Sequence, residues 1–179
     1  MSSILEMARN GEPLPFEVID LHGHLGRYNF PIMDQSPASM VKVMDRLGVD
    51  KIICSHMQCM ASSSAIGNDE VYAAMQAFPG RILGYAVTFP SCRKAVKVEV
   101  EKRIGQGFTG IKLHSSNGFS YNIDAYHAAY EIAHDLRLPI LFHTWSQESC
   151  LNELKEISRR YPKVSLLAAH AGAANEAGY

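Results

Sequence analysis

The chain has 179 residues, with 17 basic and 18 acidic side chains, a formal net charge of −1 and 47% hydrophobic residues. This composition is typical of a globular protein and excludes extensive disorder, which requires low hydrophobicity and high charge. The balanced charge gives no electrostatic reason to expect nucleic acid or an anionic membrane surface as a partner, and it favours a small-molecule ligand.

No stretch of the sequence approaches the ~20 apolar residues of a membrane span, and the first residues do not form a secretion signal. The four cysteines show no CxxC spacing and are expected to be reduced thiols. We therefore expect a cytoplasmic protein without a membrane or nucleic-acid partner.

Short apolar runs alternate with amphipathic segments along the chain. The first run, residues 17–23, precedes a helix at residues 36–47, for which Ser36 is a suitable N-cap and Gly48 a stop. Further strands are predicted at residues 50–56, 81–88, 108–114, 139–143 and 164–169, and further helices at residues 65–78, 93–105, 124–136 and 147–161. This alternation predicts an α/β fold with parallel strands covered by helices.

Two architectures fit such a repeat, an open doubly wound sheet and a closed barrel. A dinucleotide-binding sheet would carry a GxGxxG turn after the first strand, whereas residues 22–26 read HGHLG. With about 30 residues per βα unit, the chain accommodates about six units of a TIM-type (β/α)8 barrel. We therefore predict a single, incomplete barrel domain over residues 1–179.

The first predicted strand ends in His22 and His24. Because side chains alternate along a strand, both imidazoles lie on one face, which at the C-terminal end of a barrel strand is the lumen. Two such nitrogens are a suitable anchor for a divalent cation such as zinc. Asp20 shares this face and is placed to hydrogen-bond behind them.

Other predicted strands also end in histidine, namely at His56, His114, His143 and His170. A ligand role is favoured for His143 over a packed core imidazole, and a functional role for His170, whose small neighbours leave room for substrate or water. For His56 and His114 a simple hydrogen bond to a loop carbonyl is equally compatible with the sequence.

Lys112 lies two residues before His114 and shares its face of the strand. A lysine directed into a barrel is costly without a partner, so it is either an ion-pairing residue of the lumen or, if carbamylated, a bridge between metals. Arg27, in the loop after the first strand, would suit a small organic acid, although an ordinary exposed side chain explains it equally well. We group Lys112, His114 and Arg27 as candidate substrate-binding residues.

Four segments together resemble the amidohydrolase superfamily: residues 20–24 (DLHGH), 110–114 (GIKLH), 141–143 (LFH) and 169–172 (AHAG). The most similar branch is the amidohydrolase-related group that includes aminocarboxymuconate-semialdehyde decarboxylase. Each motif is modest, and the ordered set is specific.

The resemblance implies a barrel with a metal site, most often zinc. His22, His24 and His143 would be metal ligands, and the catalytic residue His170 would lie beside the metal as an acid/base or as a group that orients the substrate. The family also uses an aspartate at the end of strand eight, a position beyond the six predicted units.

The leading functional hypothesis is therefore hydrolysis of a small organic substrate by metal-activated water. Non-oxidative decarboxylation would use the same ligands and stays open as an alternative. A third interpretation is a catalytically incompetent barrel fragment that self-associates through open sheet edges. We expect a homo-oligomer.

Overall fold

The computed structural model describes residues 3–27, 33–61, 63–145 and 148–172. Its strands are β1 (Ile19–Leu25), β2 (Lys51–His56), β3 (Ile82–Val87), β4 (Gly110–Leu113), β5 (Pro139–Phe142) and β6 (Ser165–Ala168). Its helices are α1 (Ile4–Asn10), α2 (Pro37–Leu47), α3 (Gln58–Ala61), α4 (Ser64–Ala77), α5 (Arg93–Gly105), α6 (Asp124–Leu136) and α7 (Glu148–Arg160).

The six strands form one sheet in the order β1-β2-β3-β4-β5-β6, and every neighbouring pair is parallel. The sheet curls: the ring of His22, within the first strand, lies 5.0 Å, centroid to centroid, from the ring of His170, which follows the sixth strand. Sequential parallel strands with this curvature form the wall of a (β/α) barrel, as the sequence predicts.

Helices cover the outer face of the sheet with two apolar clusters. One cluster packs α2 and α4 on the first strands through Met44, Val71 and Ile82. The other packs α5, α6 and α7 on the later strands through residues such as Tyr130 and Phe142. These two clusters hold the curvature, so the inner face of the sheet is presented as a concave surface.

The inner face carries a third, smaller apolar layer, built on Ile53, Tyr85, Leu141 and Ala169. The Tyr85 ring fits here because the neighbouring strand has a glycine at position 110. A Cβ at Gly110 would lie 2.8 Å from a Tyr85 ring carbon and 2.8 Å from a backbone carbonyl oxygen. The floor of the concave surface is therefore apolar and closely packed.

Asn68 of α4 fixes the end of β3. Its side chain is fully buried, donates to the Val87 carbonyl oxygen at 2.8 Å and accepts from the Val87 amide at 3.0 Å. Among the described residues, β2 pairs with β3 only as far as Cys54 and Gly84. Beyond that point, the asparagine side chain supplies hydrogen-bond partners for the backbone amide and carbonyl of Val87.

The predicted strands and helices agree with this structure to within a few residues. The predicted helix at residues 147–161 is α7, although Gln147 lies outside the described residues. Helices α1 and α3 were not predicted; α1 contains no buried residue and therefore leaves no amphipathic signal. In the described part of the chain, no helix has the length and apolar character needed to cross a membrane.

Candidate metal centre

The two histidines of β1 are presented by an irregularity in the strand. Between Asp20 and Gly23, β1 advances three residues while β2 advances two, which is the signature of a β-bulge. The Asp20 carboxylate accepts the His22 backbone amide at 2.9 Å, so it supports the bulge and not an imidazole ring. Beyond the bulge, Gly23 and Leu25 face the helices, and His22 and His24 face the concave side.

The side-chain nitrogens of these histidines converge. The Nε2 atoms of His22 and His24 are 3.1 Å apart, and the Lys112 Nζ donates to the His22 Nε2 at 3.2 Å. Burial, followed by the charge of Lys112, lowers the pKa of His22 to about 3 and the pKa of His24 to about 4. Both rings are therefore neutral at pH 7, and neutral imidazole is the form that binds metal.

Lys112 lies beneath this pair and is fully buried. Burial lowers the pKa of its ammonium group to about 7. The amine is therefore close to the midpoint of its titration at physiological pH, unlike an exposed lysine. It is positioned as a hydrogen-bond donor inside the concave surface.

Three further histidines complete the arrangement. The His143 ring stacks on that of His114, with centroids 3.8 Å apart, and meets the edge of His170 at 5.0 Å. Burial is the main cause that lowers the pKa of His114 to about 3 and that of His143 to about 4, and it also lowers the pKa of His170. We call these five residues the histidine cluster: His22, His24, His114, His143 and His170.

The backbone at the end of β6 adopts an unusual conformation. His170 and Ala171 have φ values of 54° and 51°, in the left-handed region that residues with a Cβ rarely occupy, and Gly172 follows at 81°. The His170 ring also meets the edge of Trp145, with centroids 4.8 Å apart. Strain of this kind concentrates at functional sites.

The structure thus brings together six of the seven residues predicted from the sequence. The exception is Arg27, which is exposed after β1, and none of the contacts among the described residues joins it to the histidine cluster. His56, the other strand-end histidine, lies beside Leu25 in the register, and its Nδ1 accepts from the Gln58 amide. It is therefore outside the cluster.

Two residues at this site, Ser55 and Tyr85, were not predicted from the sequence. Ser55 pairs with His24 in the register, and its hydroxyl lies 3.1 Å from the His24 Nδ1. The phenol oxygen of Tyr85 is buried without a hydrogen-bond partner among the described residues, and burial raises the pKa of that phenol to about 12. Strand alternation could have identified Ser55 in place of His56, because only one of two consecutive residues faces the lumen.

The family model described as Amidohydrolase matches residues 19–179. The chain belongs to the amidohydrolase family. A search of curated proteins found no significant match.

Solved structures share the fold of this chain at low sequence identity. The 4-oxalomesaconate hydratase of Rhodopseudomonas palustris is 17% identical with a TM-score of 0.66, over 87% of this chain and 64% of that one. A probable 2-pyrone-4,6-dicarboxylic acid hydrolase of Acinetobacter baumannii, solved with citric acid, is 18% identical with a TM-score of 0.65, over 86% and 58%.

A third structure contains a metal. The 5-carboxyvanillate decarboxylase of Novosphingobium aromaticivorans, complexed with manganese and 4-hydroxy-3-methoxy-5-nitrobenzoic acid, is 13% identical with a TM-score of 0.66, over 88% of this chain and 66% of that one. The chain thus spans about three fifths to two thirds of the structures named here. Their likeness confirms the truncated TIM-type barrel fold.

At its β1 end the site offers two nitrogens at the spacing of a pair of metal ligands. Two nitrogens bound to one tetrahedral zinc at about 2.0 to 2.1 Å are about 3.3 Å apart, close to the 3.1 Å between the His22 and His24 Nε2 atoms. Among the described residues, however, no group of three His, Cys, Asp or Glu side chains is arranged to hold a metal ion. His143, the predicted third ligand, is stacked on His114 instead.

Proposed function

We propose that this chain carries the metal-binding side of a metal-dependent hydrolase site that acts on a small organic substrate: a cyclic amide, a lactone or a carboxylic acid. The observation that supports the proposal is the convergence of two neutral imidazole Nε2 atoms, 3.1 Å apart, at the end of the sheet where His143 and His170 also lie.

His22 and His24 would anchor the ion, and His143 would complete the protein ligands by rotating out of its stack on His114. We expect zinc. A bound divalent ion would polarise a substrate oxygen and lower the pKa of water at the site.

The remaining residues of the site would handle protons and orient the substrate. His170 is neutral at pH 7, so its imidazole can take a proton from the attacking water and return it to the leaving group. The hydroxyl of Ser55 fixes the His24 ring from behind. Lys112 can donate a hydrogen bond to an anionic oxygen of the substrate, with His114 beside it and Arg27 at the mouth.

Non-oxidative decarboxylation is the second candidate function. It is favoured by the likeness to a decarboxylase solved with manganese and a nitrobenzoic acid, and by the buried amine of Lys112, which suits a carboxylate. In this case His170 would first take a proton from water and then deliver it to the ring carbon as the carboxylate leaves as CO2. Aromatic acids tested for CO2 release, beside lactones and amides tested for hydrolysis, distinguish the two reactions.

Metal analysis tests the site itself. We expect the purified protein to bind one zinc per chain after dialysis, and the double variant His22→Gln/His24→Gln to lose it. His134→Gln is the matched control, because His134 lies on α6 and accepts from the Lys163 amide outside the histidine cluster. Unchanged zinc in the double variant would refute the ligand assignment.

Self-association and a cytoplasmic location are also proposed. Among the described strands, β1 pairs with β2 alone, and its Ile19 and Leu21 side chains are exposed, as expected of a surface that meets another copy. Light scattering after size exclusion tests this assembly. A monomer with full activity would contradict the reading in which the chain serves only as an assembling barrel fragment.

A further inference from the structure

The hydroxyl of Thr144 joins the ends of β5 and β6. Thr144 follows His143 directly and is fully buried, and its Oγ1 donates a hydrogen bond to the carbonyl oxygen of Ala169. Ala169 immediately precedes His170 and is buried as well. This bond therefore connects the residue after the predicted third ligand with the residue before the proposed acid/base.

The bond acts on the peptide that determines where His170 points. The Ala169 carbonyl is part of the peptide group between Ala169 and His170. The φ angle of His170, which is 54°, describes the rotation about the bond between the nitrogen of this peptide and the His170 Cα. Ala171 and Gly172 continue in the left-handed region. Such a conformation persists only where surrounding groups hold it, and the Thr144 hydroxyl holds its first peptide.

The result is a specific position for one ring. The His170 imidazole meets one ring from β1 and two rings that follow β5: it lies 5.0 Å from His22, 5.0 Å from His143 and 4.8 Å from Trp145, centroid to centroid. With an ordinary negative φ at His170, the side chain would leave the backbone in a different direction. The proposed proton transfer requires this ring to stay beside the ligand pair.

We infer that Thr144 is a positioning residue, whose hydroxyl fixes the peptide between Ala169 and His170 so that the His170 ring stays within the histidine cluster and against Trp145. This inference rests on the acid/base role proposed for His170. It identifies a buried threonine with no contact to substrate as a determinant of that role.

Trp145 provides a direct readout, because it is the only tryptophan of the chain. The contact between its indole and the His170 ring is measured as a nuclear Overhauser cross-peak, and the indole fluorescence of the same samples gives a second signal. Thr144→Val removes the hydroxyl at nearly constant shape, and Thr144→Ser restores the hydroxyl. The matched control is Thr88→Val, because Thr88 is also buried after a strand, but among the described residues its hydroxyl bonds only to the adjacent Phe89 carbonyl.

We expect the cross-peak between Trp145 and His170 in the wild type, in Thr144→Ser and in Thr88→Val, and its loss in a folded Thr144→Val. The emission of Thr144→Val should then leave the range spanned by the wild type and the control. A cross-peak that survives in Thr144→Val overturns the inference. So does a Thr144→Val protein that is unfolded while the other variants fold, because the hydroxyl would then serve the whole sheet and not one ring.

The measurement is independent of the proposed function. It requires neither metal nor substrate, and zinc content is recorded for every sample. Failure of the double histidine variant to lose zinc would contradict the metal site and leave this contact in place. Loss of the Thr144 effect would leave the metal site in place.

Discussion

The buried amine of Lys112 makes the protein less stable than it would be with an apolar side chain at the same position. The ammonium has a pKa of about 7 in the fold, against about 10.5 for an exposed lysine. At pH 7, folding therefore requires the amine to lose a proton or to keep a charge in an apolar environment. By linkage this lowers the free energy of unfolding by about 4 kcal/mol at pH 7. At pH 9 the free energy of unfolding is lowered by about 2 kcal/mol for the same reason.

Lys112→Met keeps an unbranched side chain, one atom shorter, and removes the charge. It also removes the hydrogen bond to the His22 Nε2, which costs about 1 kcal/mol. We therefore expect the variant to be more stable than the wild type by about 3 kcal/mol at pH 7 and by about 1 kcal/mol at pH 9.

The sign follows from the lowered pKa. The unfolded lysine binds a proton up to about pH 10 and the folded one only up to about pH 7, so wild-type stability rises with pH between these values. Urea denaturation of both proteins at pH 7 and pH 9, with a chelator present, measures the difference. A variant that is no more stable than the wild type at pH 7, or a gap that does not narrow by pH 9, would show that the amine is not desolvated as described.

Three other changes test the site and its support. In metal-free wild type, the free energy of unfolding should fall between pH 6.5 and pH 4, because the fold resists protonating the His24 ring, whose pKa is about 4. His24→Gln should reduce the slope of this fall by up to about 1.4 kcal/mol per pH unit. Acid titration followed by circular dichroism measures the slope. Gly110→Ala should lower the free energy of unfolding by about 1–3 kcal/mol, because its Cβ would clash with the adjacent strand. Gly105→Ala, in open space on α5, should raise it by about 0.5–1 kcal/mol. Thermal melts compare the two variants. Asn68→Leu should cost about 2–4 kcal/mol in urea denaturation, because it leaves two buried backbone groups of Val87 unpaired, and a loss below 1 kcal/mol would contradict that role.

The sequence predicts the barrel strands because each combines a short apolar run with a following helix signal. Ser36 and Gly48 illustrate how far local chemistry determines boundaries, since the serine accepts the Ser39 amide and the glycine adopts φ 70° as the helix ends. Helix α1 could not be predicted in this way, because none of its side chains is buried. Periodicity reports burial, and an unburied helix gives no periodic signal.

Positions of site residues relative to one another could be predicted where the residues lie on one strand. They could not be predicted where the residues lie on different strands. His22 and His24 are neighbours by strand alternation alone. The stack of His143 on His114, in contrast, depends on the register between β4 and β5, which sequence spacing does not specify. The choice between Ser55 and His56 likewise needs the register of β2 against β1.

Arg103 and Lys112 are both fully buried basic side chains, and they differ in how their charge is compensated. Arg103, on the helix side, pairs with Glu99 at 2.7 Å and with Asp69, and it donates to the Ala65 carbonyl at 3.0 Å, so its charge is compensated. Lys112 is equally buried, yet within the described residues no carboxylate pairs with it.

A buried charge without an opposite charge destabilises a fold, and a structural role would be served better by an apolar side chain. The uncompensated amine lies where the neutral imidazoles of His22 and His24 converge. A buried amine that has no opposite charge within the described residues is suited to bind an anion that the protein itself does not supply. The stability gained by Lys112→Met should therefore be accompanied by weaker binding or slower turnover of an anionic substrate, and a variant that gains stability without that loss would show that the amine serves no ligand.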